Sequence, residues 1–279
     1  MRLHENWTKI IFIGLLISTD FGCQNKIVSN SSNQTNLITS NSSNQSISQI
    51  PAPQTIKFTS AENVEIIGTF YESPQPNSPS VLLLHQWQSS RKSYDAFAKQ
   101  LQAKGFGVLA IDGRGFGESV KTTDGKMISA SRTDQTVKGM IADVDNAFNF
   151  LKQQKNVDAQ KIGIVGASYG SSLALIYAAE NKQVRAVALL SPGLNYFGNM
   201  PTEPAAKTFG NRPLLLVAAD DDKESAETVR KLKQSGDNFE TQIYQKGGHG
   251  TGIFAAKVGL EDLLEKFLTK SLDSEQNKK

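Results

Sequence analysis

The chain of 279 residues has a single cysteine, Cys23, which excludes any disulfide within it. It has only three histidines, His4, His85 and His249, so chemistry that needs an imidazole has few positions to draw on. Its net charge of +3 is too small a surplus to argue for a nucleic-acid partner. No internal repeat is visible. The apolar run Ile10–Ile17 is too short to cross a bilayer as a stable anchor. Asp220, Asp221 and Asp222 are adjacent, which is not the spaced ligand pattern of a calcium loop. Nothing in the sequence implies a metal or an organic cofactor.

What is present begins with an export signal over residues 1–22. Arg2 and Lys9 give a basic start, the short apolar core follows, and small or polar residues lead to Cys23. A cysteine at this place resembles a bacterial lipoprotein cleavage site, where it is acylated. Gly22 fits that pattern, whereas Asp20 and Phe21 depart from it. The resemblance implies an exported protein tethered to a membrane through a lipid on Cys23, with plain secretion as the alternative. Residues 23–52 read as a tether, because 29–49 are an uncharged run of Ser, Asn, Gln and Thr that cannot bury enough surface to offset chain entropy. Such a coil reaches about 30 Å. Residues 53–272 read as the catalytic domain and 273–279 as a polar tail.

The strongest signal is Gly166-Ala167-Ser168-Tyr169-Gly170. An apolar stretch, Ile162 to Val165, runs into it, and an apolar helix pattern follows. That is the setting of a G-x-S-x-G nucleophile elbow, where a tight strand-to-helix turn leaves room only for glycine at its flanks and presents the serine hydroxyl. A serine nucleophile needs a base and an orienting acid. The base candidates are His85, at the exit of the run Val81–Leu84, and His249, in Gly247-Gly248-His249-Gly250. The acid candidates are Asp220, Asp221 and Asp222, which follow the apolar run Pro213–Ala219. An oxyanion hole needs two backbone N–H groups. The residue after the nucleophile, Tyr169, supplies one, and Trp87 in the loop His85-Gln86-Trp87 is the candidate for the other. His85 then braces that loop.

Together LLLHQW, GFGVLAIDGRGFGES, GASYG, AADDD and GGHG resemble the α/β-hydrolase superfamily over about Gln54 to Leu268. The look is that of the dienelactone-hydrolase-like and bacterial esterase branches, which carry little or no cap. Asp112 to Ser119 is similar to a family loop that packs near the active site. The family's chain order of serine, acid and histidine selects His249 as base. Its acid turn, with Ala219 in the usual glycine position, selects Asp222, with Asp220 and Asp221 as alternatives in a solvated acidic loop. Serine replaces the cysteine nucleophile of dienelactone hydrolases proper, and Gln86 replaces the usual glycine after the oxyanion-loop histidine.

The alternation of strand-like and helix-like stretches predicts an α/β fold, a mostly parallel sheet with helices on both faces. Thr55–Phe58 and Val64–Phe70 are expected to open it as an antiparallel pair. Ser191 to Arg212 is too short for a large helical cap, which predicts an open site. The expected activity is serine-dependent hydrolysis of small-molecule esters, without a metal or nucleic-acid partner. The alternatives are a peptidase or amidase, a thioesterase, or an inactive binding protein on the same scaffold.

Overall fold

Short apolar runs become strands, and the stretches between them become helices that bury one stripe. The computed structural model describes residues 50–273. The signal expected at 1–22, Cys23 and most of the 23–52 tether lie outside the described residues, as does the tail beyond 273. The elements in chain order are β1 (Gln54–Thr59), β2 (Glu65–Tyr71), β3 (Ser78–Leu84), α1 (Asp95–Ala103), β4 (Gly107–Ile111), α2 (Asp134–Lys152), β5 (Val157–Ala167) and α3 (Tyr169–Glu180). They continue as β6 (Val184–Leu190), β7 (Asn195–Tyr196), β8 (Met200–Pro201), α4 (Thr202–Phe209), β9 (Leu214–Ala219), α5 (Lys223–Leu232), β10 (Phe239–Tyr244), α6 (Gly252–Ala255) and α7 (Leu260–Asp273).

The central sheet has eight strands in the order β1-β2-β4-β3-β5-β6-β9-β10. β1 pairs antiparallel with β2, and β2 with β4, while the remaining pairs are parallel. The inner strands are apolar along their length because both sheet faces are covered. In β3, Leu82 and Leu84 point into the layer shared with α2 and α3, and Val81 and Leu83 into the layer shared with α1 and α7. Each such fully buried side chain stabilises the fold by about 1.5–3 kcal/mol. No helix among the described residues is long and apolar enough to cross a membrane.

The loop after β4 is a polar clasp. The buried Asp112 carboxylate accepts from the Arg91 N–H at 2.7 Å and the Glu118 N–H at 2.8 Å, and pairs with the Arg91 guanidinium. Arg114 reaches Asp143 on α2 through two bonds of 2.8 Å. The segment between β6 and β9 holds the hairpin β7–β8 and the short helix α4, which packs on α3. It is no large cap, yet it does not leave the site bare, because the hairpin turns Tyr196 and Phe197 toward the strand ends. β3, β5, β6, β9 and β10 all finish at the same edge of the sheet, where ligands of open α/β sheets bind.

Candidate active site

Ser168 stands between the last residue of β5 and the first of α3 with φ 53° and ψ −123°. This left-handed backbone costs a non-glycine residue about 1–3 kcal/mol, held by the surrounding structure. The close approach explains both flanking glycines. A Cβ on Gly166 would lie 2.2 Å from the Gly170 carbonyl oxygen, and one on Gly170 would lie 2.6 Å from that of His85. The Ser168 hydroxyl donates to His249 Nε2 at 2.7 Å, and His249 Nδ1 donates to Asp222 Oδ2 at 2.7 Å. The three sequence-selected residues therefore form one hydrogen-bonded line across three strand-end loops.

Asp222 is the acid that reaches the imidazole. Burial works to raise its pKa, but hydrogen bonds from Ser225, His249 and Ser191 outweigh it and hold the carboxyl below its usual range. Asp220 instead forms an exposed ion pair with Arg230 at 2.8 Å. Asp221 corrects the expectation of a merely solvated neighbour. Its carboxylate accepts from the N–H groups of Gly247 at 3.1 Å and Gly248 at 3.0 Å, tying down the loop that carries His249.

Two more residues hold that loop, and sequence reasoning missed both. Ser191 is fully buried at φ 50°, and its hydroxyl accepts from the Gly250 N–H at 2.8 Å. Its place just past β6, equivalent to that of Ser168 past β5, was the available signal. Gln86, where the family usually has glycine, uses its side-chain oxygen to accept from the Thr251 N–H at 2.7 Å and the Thr251 hydroxyl at 2.9 Å. The larger residue thus joins the oxyanion loop to the histidine loop.

His85 is buried beneath this loop. Nδ1 donates to the Gln86 carbonyl at 2.7 Å, and Nε2 accepts from the Gly113 N–H at 3.0 Å. Desolvation lowers its pKa, against smaller opposing effects of the Gln86 carbonyl and Asp112. A neutral, bonded imidazole is a brace. The Trp87 and Tyr169 backbone N–H groups have no acceptor among the described residues, which leaves both free for a ligand oxygen. The Trp87 ring packs on Phe116 at 4.8 Å, Tyr169 at 5.4 Å and Phe197 at 4.7 Å between centres. Tyr94 and Phe97 pack instead with Phe254. From the hairpin, the Tyr196 hydroxyl donates to the Ser191 carbonyl at 3.0 Å. Burial raises its pKa. Among the described residues no cluster of three or more His, Cys, Asp or Glu side chains is arranged to hold a metal ion.

A family model described as serine aminopeptidase, S33, matches residues 75–217. The chain belongs to this α/β-hydrolase family. The matched span includes Ser168 and both oxyanion candidates but ends ahead of Asp222 and His249. An esterase from Pyrococcus furiosus has the same fold, with a TM-score of 0.63 at 20% identity over 79% of this chain and 93% of that one. A dienelactone hydrolase from Anabaena variabilis gives 0.63 at 18% identity, covering 80% of this chain and all of the other. In sequence, a thiohydrolase from Aspergillus aculeatus is 25% identical over 138 residues, 49% of this chain and 41% of that protein. The chain thus spans less than half the length of the first curated relatives it matches.

Proposed function

We propose that this hydrolase cleaves carboxylic esters through an acyl-enzyme on Ser168. The observation that carries the reading is the unbroken line from the Ser168 hydroxyl through His249 to Asp222, with 2.7 Å at each step. Ser168 Oγ attacks the ester carbonyl carbon as its proton passes to His249 Nε2. The carbonyl oxygen becomes an oxyanion bound by the Trp87 and Tyr169 N–H groups, donors that act where charge develops. The intermediate collapses, and the imidazolium returns the proton to the departing alkoxide. Water then attacks the acyl-enzyme with His249 as base, releasing the acid and restoring Ser168. Asp222 stays charged throughout and fixes the Nδ1–H tautomer.

Amide and thioester hydrolysis would use the same groups. The ester is preferred because its alkoxide leaves without the strongly basic nitrogen that an amide must protonate. A fluorophosphonate probe tests the serine mechanism. Labelling at Ser168, lost in Ser168→Ala, supports it, and an unlabelled wild type with ester turnover overturns it. Parallel rates on matched ester, thioester and anilide substrates rank the leaving groups. We further propose export and acylation at Cys23, read from the sequence. Wild type should partition into detergent, and Cys23→Ser should stay unprocessed or become soluble. Equal partitioning of the two with normal processing favours plain secretion.

A further inference from the structure

Arg132 is a cation held at the mouth of the site with its charge unspent. It precedes α2 and is exposed, and its backbone carbonyl accepts from the Asn199 amide of the hairpin at 3.1 Å. Its guanidinium carbon lies 5.4 Å from the Trp87 ring centre and 4.9 Å from that of Phe197. Both distances are within the range of cation–π attraction. Four other arginines of the fold, unlike Arg132 and Arg185, spend their charge on protein. Arg91 and Arg114 pair with buried carboxylates, Arg230 with Asp220, and Arg212 donates to four backbone carbonyls. The Arg132 guanidinium has no ion pair or hydrogen bond among the described residues.

Both rings beneath it border the reaction centre. Trp87 carries one proposed oxyanion donor and packs on Tyr169, which carries the other. Phe197 follows Tyr196, whose hydroxyl donates to the carbonyl of Ser191, the residue whose side chain holds the histidine loop. A guanidinium held over aromatic rings by cation–π attraction keeps N–H donors that no protein group takes, and such donors can receive a carboxylate through two parallel bonds. The rings also restrict the side chain, so less freedom is lost when an anion binds.

We propose that Arg132 recognises an anionic group on the substrate, and that the preferred substrates are esters whose acyl part ends in a carboxylate. This rests on the ester-hydrolase reading of Ser168. A neutral acyl tail leaves the guanidinium to water and gains nothing from it.

The test compares mono-p-nitrophenyl adipate with p-nitrophenyl hexanoate, which match in chain length and leaving group and differ in the terminal charge. Spontaneous hydrolysis is subtracted from each. The readout is the ratio of the two kcat/KM values in wild type, Arg132→Lys, Arg132→Gln and Arg132→Glu, with fluorophosphonate labelling of each protein to establish a formed site. The expected ratio favours the adipate in wild type, falls about tenfold in Arg132→Gln, which corresponds to about 1.4 kcal/mol, is partly kept in Arg132→Lys, and inverts in Arg132→Glu. A ratio that is the same in wild type and Arg132→Gln, with labelling intact, overturns the anion site and leaves the ester reading standing. Absence of labelling and of turnover on both esters in wild type overturns both.

Discussion

The two sides of Ser168 are held in place by different physics. On the Asp222–His249 side, directed hydrogen bonds hold the loop. Asp221 holds Gly247 and Gly248, Ser191 holds Gly250, and Gln86 holds Thr251, so the residues around the imidazole are fixed by three side chains from separate loops. On the Trp87 side, the contacts are ring against ring, with Phe116, Tyr169 and Phe197 around the indole. Hydrogen bonds lose most of their strength when bent or stretched, so they fix single atoms. Aromatic packing tolerates several orientations and fixes a surface. A proton must move along a set line, whereas an acyl group needs only a wall of the right shape.

The largest expected effects break the directed side. Ser168→Ala and His249→Ala should each lower ester turnover by several decades, with little further loss in the double variant, because such groups act as a unit. Additive losses in kcat/KM would mean that the line does not work as one. Asp222→Asn should follow with a loss of about 10³–10⁴, by removing the charge that fixes the tautomer. The acid loop then sharpens the contrast. Asp221→Asn should cost about tenfold, because it weakens two bonds to the histidine loop without touching the imidazole, a loss just under the about 1.5–3 kcal/mol of a charge-assisted bond. Asp220→Asn should change little, since an exposed ion pair is worth about 0–1 kcal/mol. Steady-state rates on one ester rank the three, and equal losses for Asp220 and Asp221 remove the bracing role.

The directed side was the more legible in the sequence. Ser168 is announced by glycines that no other residue can replace, and His249 and Asp222 by loops that follow apolar strands. The sheet was legible for the same reason, since strands buried on both faces read as unbroken apolar runs. What stayed hidden depends on contacts between distant segments. The acid turn singles out Asp222 for the imidazole, but nothing in the sequence assigns its neighbour Asp221 to the glycines of the histidine loop. Gln86 reads as a departure from a motif until Thr251 stands opposite it. Phe197 and Arg132 lie in segments with no pattern of their own and reach Trp87 through the β7–β8 hairpin.

The aromatic side should respond in specificity more than in rate. With Trp87 walling the acyl region, wild type should prefer short p-nitrophenyl esters among acetate, butyrate, octanoate and palmitate. Trp87→Ala should move the peak toward longer chains by removing a ring, while the Trp87 backbone N–H remains. A change of several-fold in the octanoate-to-acetate ratio is expected, in keeping with the about 1–3 kcal/mol that a hydrophobic pocket devotes to a methylene. A wild-type peak at palmitate, or no shift in the variant, would show that the indole does not line the acyl path.

Each side also holds one titratable group with a lowered pKa, and the consequences differ in charge. Asp222 is kept charged and His85 is kept neutral. For both, the unfolded chain binds a proton that the folded chain resists, so stability falls as the pH falls. The windows are separate. The loss due to His85 starts near the ordinary imidazole value of 6.5, and that due to Asp222 only near the ordinary carboxyl value of 3.8. Between about pH 8 and pH 5 the His85 effect therefore stands alone of the two. Buried against Phe116 and Tyr169, with Nε2 committed as an acceptor from Gly113, His85 cannot take a proton without breaking that bond. His85→Asn should lower the melting temperature at pH 8, by loss of packing, but the gap to wild type should narrow by pH 5, where the wild type has lost its own advantage. A gap that widens with acid would mean that the folded protein welcomes a charged His85, and the neutral brace beneath the oxyanion loop would have to be abandoned.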